Sequence, residues 1–253
     1  MMITETASPL PSVAEPADTL MQWVETASQK RAILSNSYFT ALKTARFPPA
    51  AFTATQRQFY FAVRYFSRPM AALMARMPTS TLRQGLIHNL SEEHGFEDDA
   101  PGGAADFDPA LAHDMTFLAF LKTLGVSAKE MAGQRELPVV RAFNVALMGA
   151  CAMERIEVAF GCLGVIEYAF ADICEVIGDQ VVKQGWVAAD QLVHYKLHAQ
   201  IDKGHAADFF RVVRPAWDRG GEDRAAIEDG IALGLHLFHR LYEDLHHEAV
   251  HGN

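Results

Sequence analysis

Apolar residues recur at helical spacing along almost the whole chain, while the Val-, Ile- and Thr-rich alternation of strands is scarce. Pro and Gly cluster at a few points that punctuate this pattern. The prediction is an all-α protein. Leu20, Trp23, Val24, Ala27, Leu34 and Phe39 mark a first long helix, closed by Pro48 and Pro49. Thr53 or Thr55 is positioned to cap a second helix running to about Met77, with an aromatic stripe at Phe59, Phe61, Tyr65 and Phe66 that reads as core packing. Thr79 or Ser80 opens a third helix that ends at Gly95, and the acidic, glycine-rich stretch from Phe96 to Phe107 predicts a loop. Pro109 suits a helix start before the segment that runs through His113, Phe117, Phe120 and Leu121 to Gly125, and Ser127 caps a short helix. A long apolar helical stretch from about Leu137 to Ile177 is expected to bend or break at Gly161 and Gly164. Two further helices cover about Ala189 to Trp217 and Asp223 to Glu248.

Half of the 253 residues are apolar and 21% are charged, enough for one sizeable core, so residues 18–253 are expected to form one helical domain. Residues 1–17 have the composition of a disordered leader, with neither the basic start nor the apolar stretch of a signal peptide. No apolar run approaches the ~18 residues that a membrane span needs. With a net charge of -9 and no run of Lys and Arg, the chain is not expected to bind nucleic acid. A cytoplasmic protein without a membrane or nucleic-acid partner is the expectation. Cys151, Cys162 and Cys174 have no metal-site spacing and read as buried free thiols.

The chemistry is concentrated in the segment from Tyr195 to His205, where His198, Asp202 and His205 stand at i, i+4 and i+7. At about 3.6 residues per turn these three side chains share one helix face. Two imidazoles and a carboxylate are donors suited to non-haem iron, and less selectively to manganese or zinc. One helix cannot complete a dinuclear centre, so further donors must come from facing helices. Glu92 and Glu93 near the end of the third helix are candidates, as is Glu154 in the apolar run that begins at Ala146. A carboxylate among so many apolar side chains must be paired, protonated or bound to metal. Glu157 competes with Glu154 one turn on. Each piece alone also reads as an ordinary surface or core residue, such as a solvated helix face or an acid paired with Arg155 or Arg141.

These residues together resemble the haem-oxygenase-like diiron oxidases and oxygenases, related in fold to thiaminase-II-type and pyrroloquinoline-quinone-synthase-type proteins. The resemblance covers roughly Thr53 to the C-terminus. It rests on Glu93-His94-Gly95, on His113 ahead of an apolar segment ending in Leu124-Gly125, on Glu154, and on the HxxxDxxH motif at His198, Asp202 and His205. It implies a bundle of about seven helices whose metal ligands are Glu93, His113, Glu154, His198, Asp202 and His205. In the family the first Glu and His usually lie closer together; here the loop from Phe96 to Asp108 separates them, which leaves His94 as the alternative to His113. Glu92 could instead pair with His88, four residues earlier.

The resemblance further implies two Fe(II) ions, with manganese as the alternative metal, and dioxygen used to oxidise a small organic substrate such as an amine, an amino acid or a fatty-acid-like molecule. An external electron donor is compatible with that chemistry, and a homodimer is the default for this fold. Two rivals keep the fold and drop the metal: a cofactorless oxidase, or a thiaminase-like hydrolase for which Cys151 would have to serve as nucleophile. A third is a non-catalytic helical binding protein.

Overall fold

The computed structural model describes residues 18–97 and 106–252. The predicted leader at residues 1–17 lies outside them. Among the described residues are ten α-helices: α1 (Thr19–Arg31), α2 (Ser37–Lys43), α3 (Pro49–Arg76), α4 (Ser80–Glu93), α5 (His113–Thr123), α6 (Ala128–Gly133), α7 (Pro138–Met153), α8 (Ile156–Lys183), α9 (His194–Arg219) and α10 (Gly221–His251). The count exceeds the expected seven because two predicted helices divide and short ones stand apart. A pair of two-residue strands, β1 (Phe96–Glu97) and β2 (Asp106–Phe107), interrupts the helical pattern.

The first predicted helix divides at Ala32, whose φ of 50° is left-handed; Asn36 then caps α2 by accepting from the Phe39 amide. Thr53 and Thr55 do not cap α3. The helix begins four residues earlier on Pro49, whose fixed φ suits a first helical position, and both hydroxyls donate to carbonyls within the helix, Thr53 to Pro49 and Thr55 to Phe52. Thr79 caps α4, and Ser127 caps α6 through a reciprocal box with Glu130.

The long apolar stretch breaks at Glu154 and Arg155, not at its glycines. The cause is tertiary. The Arg76 guanidinium donates to the carbonyls of Cys151 and Glu154, satisfying groups that the ended helix leaves without partners. Gly161 and Gly164 lie inside α8, where neighbours come too near for a side chain. A Cβ on Gly161 would stand 2.7 Å from the Ile227 carbonyl of α10, and one on Gly164 would press on the Phe210 ring of α9.

α8 is buried along most of its length and forms the axis of the bundle, with α9 and α10 packed against it and the α3–α7 pair beside α10. Cys151, Cys162 and Cys174 are buried free thiols in this core. No described helix is long and apolar enough to cross a membrane. α4 and α5 close the side of α9 that carries its polar face.

Candidate metal centre

α9 buries three titratable side chains that its sequence places on one face: His198, Asp202 and His205 are 5%, 0% and 4% exposed. Asp202 Oδ1 lies 2.8 Å from His198 Nδ1 and 3.7 Å from His205 Nδ1, so one carboxylate oxygen stands between two imidazoles. Glu167, from the middle of α8, joins them with its Oε2 3.9 Å from His205 Nδ1, while Asn89 of α4 donates to its Oε1 at 3.4 Å. Donor atoms of Glu167, Asp202 and His205 all fall within 4.8 Å of one another. A small inward movement would let these atoms surround one ion, whose ligands at about 2.1 Å lie up to about 4.2 Å apart.

The end of α4 adds two carboxylates in different directions. Glu93 Oε1 stands 2.9 Å from His113 Nδ1, and the His113 ring lies 4.3 Å from that of His198. Glu92, one residue earlier and turned about 100° around the helix, reaches His205 Nε2 from the more exposed side. Its Oε2 is also 3.9 Å from His88 Nδ1. His94 does not join: it is exposed, with Nδ1 2.7 Å from the Leu90 carbonyl.

The loop after α4 could have carried His113 away from Glu93, and the backbone explains why it does not. Gly95 takes a φ of 87°, which turns the chain out of the helix; a Cβ there would run into the Asp108 carbonyl. The Asp108 amide donates to the Gly95 carbonyl at 2.9 Å, and Phe96 pairs with Phe107 across the antiparallel strands, their rings 4.8 Å apart. The excursion is thus closed at its base, and α5 starts beside the residue where α4 stopped.

Glu154 is a correction. The structure brings Glu93, His113, His198, Asp202 and His205 together, but leaves Glu154 exposed at the break between α7 and α8. Glu157 is turned to Arg155, 3.3 Å away. The buried acid is Glu167, 4% exposed, which the sequence reading missed. It sits in Leu163-Gly-Val-Ile-Glu-Tyr-Ala-Phe170, as apolar a setting as that of Glu154, so the test that selected Glu154 applied to it equally. His194 was missed as well. It precedes His198 by one turn, is fully buried, and lies 4.3 Å from it ring to ring.

Electrostatics mark this group as unusual. Burial pushes Asp202 well above the usual carboxylate range, and burial followed by repulsion from Asp202 raises Glu167. Burial alone would favour neutral His205, yet hydrogen bonds with Glu167 and Glu92 outweigh it and lift its pKa to about 11. His198, by contrast, is lowered to about 3 by burial and then by repulsion from His113. Burial opposes charge on both Glu93 and His113, but their mutual attraction lowers the first and raises the second. His198 Nε2 and Asp202 Oδ2 are buried without a hydrogen-bond partner. Such orphaned polar atoms cost stability unless something binds them. A divalent cation would satisfy both, and the surrounding imidazoles and carboxylates are the donor types that iron or manganese takes.

Protons and metal therefore compete. In the metal-free chain His205 holds a proton at neutral pH that a cation must displace, and burial favours the protonated form of Asp202, so the metal-bound state carries fewer protons and apparent affinity rises with pH. Mn(II) titrations at pH 6.5 and 7.5 are expected to give about tenfold tighter binding at the higher pH for each proton released. Equal affinities would contradict this protonation pattern.

Beside the cluster lies a small cavity of about 40 Å³, bordered by Glu93, His113, Glu167, His194 and His198 and otherwise by apolar side chains, among them Phe59, Phe66, Phe143, Ile166, Phe170 and Phe238. Val63 and Phe66 of α3 are only half-buried and mark its mouth.

A helical bundle that buries imidazoles and carboxylates from α4, α5, α8 and α9 around one point is built like the helical metalloproteins whose core side chains hold metal. The chain belongs to the iron-containing redox enzyme family, which it matches over residues 54–239, from the first turns of α3 well into α10. Its fold is haem-oxygenase-like. A domain of unknown function with a heme oxygenase-like fold from Shewanella denitrificans superposes with a TM-score of 0.73 at 14% identity, over 94% of this chain and 97% of that one. A CADD-like protein of unknown function from Nostoc punctiforme gives 0.70 at 15% identity, over 91% and 96% of the two chains. A TenA homolog from Pseudomonas syringae pv. tomato gives 0.68 at 15% identity, over 96% and 98%. At these identities the likeness concerns the fold alone. No curated protein matches the chain in sequence.

Proposed function

We propose that the protein is a dioxygen-dependent non-haem iron oxidoreductase that holds two Fe(II) ions and oxidises a small, largely apolar organic substrate. The observation that carries this reading is the set of three imidazoles, each within 4.0 Å of a carboxylate, buried together with two orphaned donor atoms. Glu167, Asp202 and His205 would hold one ion, and Glu93, His113 and His198 the other. Iron supplies the redox and dioxygen chemistry that side chains lack.

The protein's own contribution is orientation and exclusion of water. Asn89 donates to Glu167 and fixes one of its oxygens, and the aromatic rings of α3, α7, α8 and α10 keep the space next to the cluster dry. Their apolar surface would favour a hydrocarbon-like body over a charged one. The rival thiol-based hydrolase finds less support. Burial pushes the Cys151 thiol up to about 12, and Cys151 does not border the cavity. A nucleophilic Cys needs the thiolate.

Oxygen uptake by electrode tests the proposal. Protein loaded anaerobically with Fe(II) and supplied with a chemical reductant is expected to consume dioxygen well above the rate of free Fe(II), whereas metal-free protein does not. Uptake no faster than that of free Fe(II) would overturn the reading.

A further inference from the structure

The buried atoms in and beside the cluster that make no hydrogen bond include His198 Nε2, Asp202 Oδ2 and His194 Nε2. The first two belong to residues of the metal-type set. His194 stands apart from that set. His113, His198 and His205 each approach a carboxylate within 4.0 Å, whereas among the described residues no ion pair with Asp or Glu involves His194. It is held instead by Thr116 and by aromatic rings, with Phe117 edge-on at 4.9 Å.

The Thr116 contact fixes how the His194 ring presents itself. The single hydroxyl proton of Thr116 is donated to the His113 carbonyl at 3.0 Å. With that bond made, its oxygen, 2.9 Å from His194 Nδ1, accepts, and we assign the ring proton of His194 to Nδ1 as the tautomer that keeps both contacts. Nε2 is left with a lone pair, and the ring borders the apolar cavity. A fully buried acceptor without a donor is costly.

We propose that His194 is a substrate-binding residue whose Nε2 accepts a hydrogen bond from an uncharged O–H or N–H group at the end of a slender apolar substrate. This assignment rests on the reading of the neighbouring cluster as the iron centre, and it narrows the substrate to molecules that carry a donor at the end nearest the metals. The apolar remainder would extend past Phe170 and Phe59 towards the mouth at Val63 and Phe66. A site built around a buried acceptor discriminates against an analogue that cannot donate.

The test compares 1-pentanol with 1-methoxybutane, of equal size but with no donor, by NMR titration of the protein loaded with redox-inert Zn(II). The wild type is expected to bind the alcohol about tenfold more tightly than the ether, the worth of roughly one hydrogen bond. His194→Gln, whose amide oxygen can accept, should keep the preference, and His194→Leu should abolish it. Thr116→Val, which frees Nδ1 to lose its proton, should weaken it. Zinc content should be unchanged in all of them. Equal binding of the two probes by the wild type, or a preference that survives in His194→Leu, would overturn the assignment. Loss of zinc in both His194 variants would also overturn it, by making His194 a metal ligand. A wild type that holds no metal, yet shows the preference and loses it in His194→Leu, would remove the iron reading while leaving His194 as the acceptor.

Discussion

Replacing Asp202 with alanine is expected to remove iron from the protein almost completely while leaving its helices in place. Asp202 Oδ1 lies between His198 and His205, and Oδ2 is buried with nothing to bind, so this residue faces both halves of the proposed centre. Loss of a group that merely supports a ligand weakens metal binding about 10–100-fold. Asp202 would be a ligand itself and also pairs with His198, a ligand of the other position, so its loss should cost more, and stoichiometry after desalting should fall to background. Folding should tolerate the change. The carboxyl is fully buried, and burial raises its pKa, so its removal relieves a desolvation cost even as it deprives His198 Nδ1 of a partner. Circular dichroism is expected to match the wild type, with the metal-free melting temperature shifted by no more than about 2–4 °C, the equivalent of roughly 1 kcal/mol. Undiminished iron content in Asp202→Ala would refute the site.

The second large effect separates two glutamates in apolar sequence. Glu167→Ala is expected to weaken Fe(II) binding by at least about 100-fold, because it deletes the only α8 carboxylate near His205 and leaves Asn89 Nδ2 without its acceptor. Glu154→Ala should leave affinity within about twofold of wild type, since that side chain is exposed and only its backbone carbonyl is used, by Arg76. Equilibrium titration of the two variants side by side decides the matter. The reverse order would return Glu154 to the centre and displace Glu167.

That contrast also marks how far the sequence could be read. Helical periodicity alone was sufficient for the all-α class, and the i, i+4, i+7 spacing of His198, Asp202 and His205 located the face of α9 that the structure buries. The choice of Glu154 failed for a physical reason. A carboxylate in an apolar run is a sound signal, but Glu154 and Glu167 share it, and what separates them is a helix break made by Arg76 from α3. Nothing local announces that break. Gly161 and Gly164 drew attention as breakers, yet they serve close approach of α10 and α9. His113 shows the opposite case, in which a long loop suggested separation. Closing a loop is entropically cheap once its ends are tied, and the Gly95 turn with the Phe96–Phe107 pair ties them. His194 was legible in principle, one turn before His198. Only its burial and its contact with Thr116 distinguish it from a solvated residue.

The most direct measurement of the central claim is anomalous X-ray scattering at the iron edge from crystals of the protein grown or soaked anaerobically with Fe(II). Two iron peaks are predicted between α4, α5, α8 and α9, one among Glu167, Asp202 and His205 and one among Glu93, His113 and His198. Iron-replete crystals with no peak at either position, or with iron bound only elsewhere on the chain, would contradict the account.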